Sequence, residues 1–338
     1  MTNEEAAPKA ANIFDVARLA GVSHQTVSRV LNDLPNVRPA TRQRVEHAIA
    51  QLRYSPSPAA RALVTRRTRT IGLVTPGVPD YGPTSIALRF NLAARQARYS
   101  VHAVHALTHE VTDVRAAVDE LLRQRVDAIV LIVIDVAVLE AIRTIELGVP
   151  LVAVAATPRA SSTTISIDQY RGARSAVRHL AELGHERILH IAGPASMPDA
   201  VERVRGWRDE LAAHGLVASD PAAGDWSAES GYRVGSTLEL RPGDGVFVAN
   251  DQMAIGLLAA LRERALRVPD DVSVVGFDDV PEAAYLDPPL TTVRQDFDRL
   301  GELMMQKVLI AIEEPDSASQ DAPLPTRLIV RGSTRARP

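Results

Sequence analysis

The stretch Asp15-Val-Ala-Arg-Leu-Ala-Gly-Val-Ser-His-Gln-Thr-Val-Ser-Arg-Val-Leu-Asn32 decides the reading of the amino-terminal region. Val16, Ala17, Leu19 and Ala20 are the apolar positions of one short helix, Asp15 to Ala20, and Gly21 supplies the positive-φ residue that ends it. Ser23 then offers a side-chain oxygen to cap a second helix, His24 to Asn32. Within that helix Val27, Val30 and Leu31 recur at i, i+3 and i+4 and share a buried face, which leaves Gln25, Ser28, Arg29 and Asn32 pointing outward. Pro39, favoured at a first helical position, opens a third helix that buries Val45, Ala48, Ile49 and Leu52. Two helices joined at a tight glycine turn and braced by a third describe a helix-turn-helix unit, residues 12–54.

The charge distribution separates this head from the rest of the 338-residue chain. The first 70 residues hold eleven Lys and Arg against five Asp and Glu, a balance of +6; with a net charge of −3 overall, the remaining 268 residues carry −9. A small basic head on an acidic body suits a head that meets a polyanion and a body that does not. Arginine supplies nearly all of the positive charge, since Lys9 and Lys307 are the only lysines. The chain has no cysteine, which excludes a disulfide framework, a thiolate zinc site and a cysteine nucleophile, and fits a reducing compartment. No apolar run approaches the roughly 20 residues that span a bilayer, and Met1 to Asn12 contains no apolar signal core. A soluble cytoplasmic protein, with residues 1–11 as a disordered tail, is expected.

Beyond the head, Tyr54-Ser-Pro-Ser-Pro-Ala-Ala-Arg-Ala-Leu-Val64 and the basic run Arg66-Arg67-Thr-Arg69 read as a linker over 55–69 that contains one short helical stretch. From there β-rich apolar runs alternate with amphipathic helices. Strands are predicted near Ile71–Thr75, Val101–Ala106, Ala128–Val133 and Leu151–Val154, and again near Ile188–Ala192, Gly245–Ala249 and Val272–Gly276. Helices such as Asp113–Gln124, Gly172–Leu183, Ala200–His214 and Asp251–Glu263 fall between them. The fold class is therefore α/β, a body with two parallel sheets in two lobes: 70–167 plus 297–331, and 168–296, with 332–338 as a tail. Ligands of such folds bind in the crevice at the carboxyl ends of the strands.

These strings resemble the LacI/GalR family of bacterial transcription regulators from about Ile13 to Arg331. The head string quoted above looks like that family's DNA-reading unit. In the body, Gly224-Asp-Trp-Ser227, Val248-Ala-Asn-Asp-Gln-Met-Ala254, Ser273-Val-Val-Gly-Phe-Asp-Asp279 and Pro288-Pro-Leu-Thr-Thr-Val-Arg-Gln-Asp-Phe297 look like its effector domain. The resemblance implies a hinge helix after the head and a two-lobed periplasmic-binding-protein-like (type I) body. The function it implies is a repressor released from a pseudo-palindromic operator by a sugar or glycoside. A corepressor-dependent repressor is the alternative within the family.

A helix in the major groove reads base edges through side chains such as Arg on guanine and Gln on adenine. The resemblance assigns this to His24, Gln25 and Arg29, with His24 standing where the family's archetype has tyrosine. It gives Thr26, Ser28, Asn32, Thr41 and Tyr54 phosphate or scaffold roles, and Arg38, where serine is common, a phosphate contact. In the hinge it places Leu63 as a minor-groove wedge, with Ala60 beside it and Ser57 where asparagine is usual. A sugar needs planar polar groups for its hydroxyls and an aromatic face for its C–H surface, roles that suit Arg203, Asp278 and Trp226. By resemblance these three, Asn250 and Gln295 are effector-site positions, and Tyr81 is a further contact. Ala155 ends a strand where many sugar-binding relatives carry aspartate. Taken singly, Arg203 could form a surface ion pair, Asp278 and Asn250 could cap helices, and Trp226 could pack a core.

An enzyme of sugar metabolism with an attached DNA-binding head is the rival class. The chain has no Gly-x-Gly-x-x-Gly after a strand, no Walker A string and no Gly-x-Ser-x-Gly. His185 and His190 are one residue too far apart for a zinc-binding helix, and His102, His105 and His109 straddle a strand and loop without sharing a face. The expectation is a protein that is no enzyme, with no cofactor and no metal. A secreted sugar-binding protein would share the body but lack the basic head. The run Arg331-Gly-Ser-Thr-Arg-Ala-Arg-Pro338 contains no leucine heptad, so a homodimer is expected and not a tetramer.

Overall fold

The computed structural model describes residues 11–31, 34–54, 67–108, 110–132, 136–155, 164–314 and 322–337. Asn32, the hinge positions Ser57, Ala60 and Leu63, and His109 lie outside the described residues. The chain divides into two compact units, Met1–Thr68 and Arg69–Pro338.

In the first unit, α1 (Ile13–Ala20), α2 (His24–Leu31) and α3 (Pro39–Gln51) surround a core of Val16, Ala17, Ala20, Val27, Val30, Val45 and Ala48. The first helix starts two residues before its apolar pattern because Asn12 caps it. The Asn12 Oδ1 accepts N–H bonds from Phe14 and Asp15, and the Asn12 N–H donates back to Asp15. Gly21 has φ +64° and closes the helix, and the Thr26 N–H donates to Ser23 Oγ at 3.2 Å to start the next. Ile49 and Leu52 are half-buried at the edge of this core and are not part of its centre.

The second unit begins with β1 (Thr70–Pro76), α4 (Tyr81–Gln96), β2 (Ser100–Ala106), α5 (Val111–Arg123), β3 (Ala128–Ile132), α6 (Val136–Arg143), β4 (Leu151–Val154) and β5 (Thr164–Ile165). These strands form a parallel sheet in the order β2-β1-β3-β4-β5. Strand residues alternate between faces, so Leu73, Val130 and Val152 pack on one side while Val74, Ile129 and Ala153 pack on the other. The chain continues through α7 (Gln169–Glu182), β6 (Ile188–Ala192), α8 (Pro198–Ala213), β7 (Ala222–Ala223), α9 (Ala228–Thr237), β8 (Gly245–Val248), α10 (Asp251–Glu263) and β9 (Ser273–Val275). Here the order is β7-β6-β8-β9, again parallel. In each sheet the order reverses beside the first strand, which opens a crevice at the strand carboxyl ends.

After β10 (Thr292–Arg294), α11 (Phe297–Glu313) returns to the first sheet, where Leu300, Met304 and Val308 join its core. The last strand, β11 (Arg327–Ile329), does not stay there. It pairs antiparallel with β10, and the residues beyond it dock on the second lobe. Ser333 is fully buried; its Oγ donates to the Val274 carbonyl at 2.6 Å and accepts the Thr291 N–H at 2.8 Å. The Arg337 N–H donates to the Leu183 carbonyl. Residues 327–331 therefore belong with the second lobe, and 332–337 are a docked strap and not a free tail, because backbone pairing and a buried serine hold them. Among the described residues, no helix is long and apolar enough to cross a membrane.

Helices α9 and α10 cross so closely that a methyl group on Gly256 would lie 1.8 Å from the Ala228 carbonyl oxygen. Backbone on both sides leaves no flexible atom to yield. Gly256→Ala is expected to lower the stability of the second unit by roughly 1–3 kcal/mol, measured as a leftward shift of the urea midpoint at unchanged slope.

Candidate functional site

Two surfaces carry the sequence-derived candidates. On α2, Val27 and Val30 are buried and His24, Gln25 and Arg29 are exposed, while Thr26 and Ser28 are half-buried at the flanks. The His24 ring rests 5.2 Å from the Phe14 ring, which steadies it on the outer face. Arg38 is exposed at the N-cap of α3, and Thr41 in its first turn is half-buried, its N–H donating to the Arg38 carbonyl. Tyr54 packs its ring on the head core. The exposed face has the width of one helix and bears only polar groups and Arg29, the form of a major-groove reader.

The second surface is a cleft between the two sheets of the body. It contains five of the six effector-site candidates: Arg203, Trp226, Asn250, Asp278 and Gln295. Arg203 lies on α8 and is almost fully buried. Its Nε donates to Gln169 Oε1 at 3.0 Å, its Nη1 donates to the Ala249 carbonyl, and its guanidinium lies 3.8 Å from the Phe277 ring centroid and 5.5 Å from that of Trp226. Gln169 Nε2 donates to Gln295 Oε1 at 2.9 Å, and Gln295 Nε2 donates to Asp278 Oδ1 at 2.7 Å. Asp278 Oδ1 is 3.8 Å from Arg203 Nη2, so the chain Arg203–Gln169–Gln295–Asp278 almost closes on itself. This is no surface ion pair.

Burial pushes the Asp278 carboxyl up to about 6, although the Arg203 charge and the bond from Gln295 pull it down. Its backbone is strained as well, with φ +114°, followed by Asp279 at +58°. The conformation is held from behind: the Asp278 N–H donates to the Val293 carbonyl, and Asp279 accepts bonds from Arg294 at 2.5 Å and Arg331 at 2.6 Å. Asn250 does cap a helix, accepting the Met253 N–H at 3.0 Å, and its Nδ2 also donates to the Trp226 carbonyl. Both uses fix the edge of the cleft.

Tyr81 is the exception. It opens α4 directly beside cleft residues Asp80 and Gly82, but its ring packs edge-to-face on Phe297 at 5.9 Å and lines an adjoining hollow with Ser85, Arg89 and Asp279, which meets the cleft at Asp278, Gln295 and Phe297. The helical turn that brings Asp80 and Gly82 to the cleft rotates Tyr81 away from it. Conversely, Gln169 and Asp199 line the cleft and were not singled out from the sequence. Asp199 had a legible signal, since it stands four residues before Arg203 on one helix. His185 and His190 face backbone carbonyls, with His185 Nδ1 near that of Gly243 and His190 Nδ1 near that of Phe247; His190 stacks on the Phe247 ring inside the second lobe.

A helix-turn-helix head on a two-lobed body with a polar cleft defines a ligand-responsive DNA-binding protein. Residues 12–57 match the family described as bacterial regulatory proteins, lacI family, and residues 177–334 match a periplasmic binding protein-like domain. The chain is 34% identical over 334 residues to the lactose operon repressor of Escherichia coli (strain K12), covering 97% of this chain and 92% of that protein. It is 35% identical over 335 residues to the HTH-type transcriptional regulator CelR of Thermobifida fusca, with coverages of 94% and 96%. The crystal structure of the lac repressor dimer bound to operator and the anti-inducer ONPF superposes with a TM-score of 0.87 at 33% identity, covering 97% of this chain and all of that one. A CelR–cellobiose complex gives a TM-score of 0.69 at 31% identity, covering 96% and 99%. The chain belongs to the lacI family of bacterial regulatory proteins.

The chain has two tryptophans, Trp207 fully buried in the second lobe and Trp226 half-buried at the cleft. A small molecule that fills the cleft is expected to change the tryptophan emission through Trp226 alone. Trp226→Phe should abolish the change seen in a fluorescence titration; a signal that persisted would have to arise from Trp207.

Proposed function

We propose that this protein is a transcriptional repressor that binds a pseudo-palindromic operator as a homodimer and leaves it when a sugar or glycoside occupies the body. The carrying observation is the cleft itself. Arg203 and Asp278, oriented by Gln169 and Gln295 beside the Trp226 ring, offer donors, acceptors and an aromatic face in one buried place. Two relatives support the reading, one solved as a dimer on operator and one with cellobiose.

In this reading His24, Gln25 and Arg29 meet base edges, and Thr26, Ser28, Asn32, Arg38, Thr41 and Tyr54 set register against phosphates or support the helix. Leu63, flanked by Ala60 and Ser57, wedges the operator centre. The protein acts in the cytoplasm and is a binder, not an enzyme: its cleft groups are tied to one another as a rigid recognition surface. Incubation with a sugar panel should return every sugar unchanged.

Selection of bound sequences from random DNA should yield two related half-sites, and affinity should fall steeply with salt because the head carries about six excess positive charges. On the selected operator, Arg29→Ala should lose about 1–3 kcal/mol of affinity. Equal binding by that variant would remove α2 as the reading helix.

The Asp278 carboxyl also sets a pH dependence. Near pH 7.5 it is mostly ionised and accepts hydrogen bonds at both oxygens; as pH falls through about 6 it protonates, loses its charge and turns one oxygen into a donor. Sugar affinity should therefore weaken between pH 7.5 and 5, with Arg203, Asp199 and Asp80 the other charged groups of the cleft. The sign for stability is the reverse. A carboxyl raised on folding favours the native state at low pH and loses that contribution as pH rises through its folded value. Calorimetric titration of Asp278→Asn should show a weaker sugar affinity with a flattened pH profile.

A further inference from the structure

Asn250, Asp278 and Gln295 reach the cleft from three segments that are distant in sequence, and one buried residue behind them is bonded into all three. Asp251, the first residue of α10, is fully buried and lines neither the cleft nor the hollow that adjoins it. Its Oδ2 accepts the Val280 N–H at 2.9 Å and its Oδ1 accepts the Thr292 hydroxyl at 2.6 Å, while its own N–H donates to the Phe277 carbonyl at 2.8 Å. The backbone is therefore gripped on both sides of Asp278 and Asp279, the pair with φ +114° and +58°. The Asp279 N–H donates in turn to Thr292 Oγ1 at 3.4 Å. The other two cleft residues adjoin the same ties: Asn250 directly precedes Asp251, and Gln295 directly follows β10, which Thr292 opens.

A helix dipole favours an acid in a first turn, yet α10 is already capped by Asn250, and the Asp251 carboxyl turns from its own helix to two donors elsewhere. Gly276 makes room for it, since a methyl group there would collide with Asp251 Oδ1. Burial, and after it the Asp278 charge, push this carboxyl up to about 8. Enclosing a carboxyl in this way is costly unless its bonds serve the structure around it. Positive-φ backbone at residues with a Cβ persists only where its surroundings over-determine it, and here Asp251 supplies ties on both flanks. We infer that Asp251 is a positioning residue for the effector site: it fastens the Asp278–Asp279 turn to α10 and β10, and so holds the Asp278 carboxyl toward the cleft in register with Asn250 and Gln295. This inference rests on the reading of the cleft as a sugar site, and Asp251 acts in it through Asp278 without touching the ligand.

Titration calorimetry on the full chain tests it, with cellobiose and a panel of methyl hexopyranosides as probes. For the probe that the parent binds most tightly, Asp251→Ala should weaken binding by about tenfold or more, and Thr292→Val, which removes one tie and nearly keeps the shape, by about threefold or more. An amide offers one acceptor to the Val280 N–H and one donor to the Thr292 oxygen, as a protonated carboxyl does, so Asp251→Asn should recover most of what Asp251→Ala loses. A residue that acts through Asp278 matters less once Asp278 is altered, whereas one that merely stabilises the lobe costs the same in either background. Asp251→Ala should therefore weaken binding by a clearly smaller factor in an Asp278→Asn protein than in the parent. If Asp251→Ala does not fold, Thr292→Val decides by the same comparison of backgrounds. Parental affinity in both Asp251→Ala and Thr292→Val overturns the inference and leaves the functional reading intact; so does an equal loss in the two backgrounds, or an Asp251→Asn protein as weak as Asp251→Ala. A parent that binds no probe contradicts the functional reading, and the inference with it.

Discussion

The hydrogen bond from Gln169 Nε2 to Gln295 Oε1 joins two of the segments by which the chain passes between its lobes. Gln169 begins α7, just after β5 leaves the first sheet, and Gln295 stands between β10 and α11, where the chain returns. Both side chains are buried, and each spends its other end on a charged group: Gln169 receives the Arg203 Nε–H, and Gln295 donates to Asp278. Two of the charged groups that line the cleft are thus oriented by these crossing segments. A change of lobe angle that parted the two glutamines would leave buried amides unpaired, at a cost of about 1–3 kcal/mol for each group. The recognition surface and the lobe arrangement are one cooperative unit.

The strain behind Asp278 belongs to the same unit. Left-handed backbone at two successive aspartates is unfavourable for residues with a Cβ, and it turns Asp278 toward the cleft while Asp279 points back to Arg294 and Arg331. Arg294 belongs to β10, next to a crossing segment, and Arg331 immediately precedes the docked carboxyl-terminal strap. A ligand that pulls on Asp278 therefore acts through one peptide unit on an ion-paired cluster at the base of the lobes. This contiguity offers a physical route for coupling to a ligand whose affinity differs between lobe arrangements.

Much of this was legible in the sequence because the signals were local or repeated. Gly21 and Ser23 fix the turn between α1 and α2 by backbone sign and side-chain capping, properties of single residues. Seven of the nine strands in the two parallel sheets announced themselves as apolar runs because helices cover both faces, whereas β5 and β7, of two residues each, gave no such run. What could not be read depended on side-chain direction and long-range pairing. One residue of helical rotation separates Asp80, in the cleft, from Tyr81, outside it. Gln169 carries no pattern of its own, and its importance exists only because residue 295 folds beside it. Residues 327–331 read as the end of the first lobe and 332–338 as a tail, yet Arg327–Ile329 pairs with β10 and Ser333 Oγ donates to the Val274 carbonyl.

The central claim is that occupation of the cleft and occupation of the operator are energetically linked. Thermodynamic reciprocity makes this testable without assuming a pathway: each ligand must change the affinity of the other by the same factor. The direct measurement is the full cycle of four constants, operator binding with and without saturating sugar and sugar binding with and without operator. The account predicts that the sugar weakens operator binding and that operator weakens sugar binding by an equal factor, about 5- to 150-fold for a coupling of 1–3 kcal/mol. Operator affinity unchanged by a sugar that demonstrably fills the cleft would contradict it.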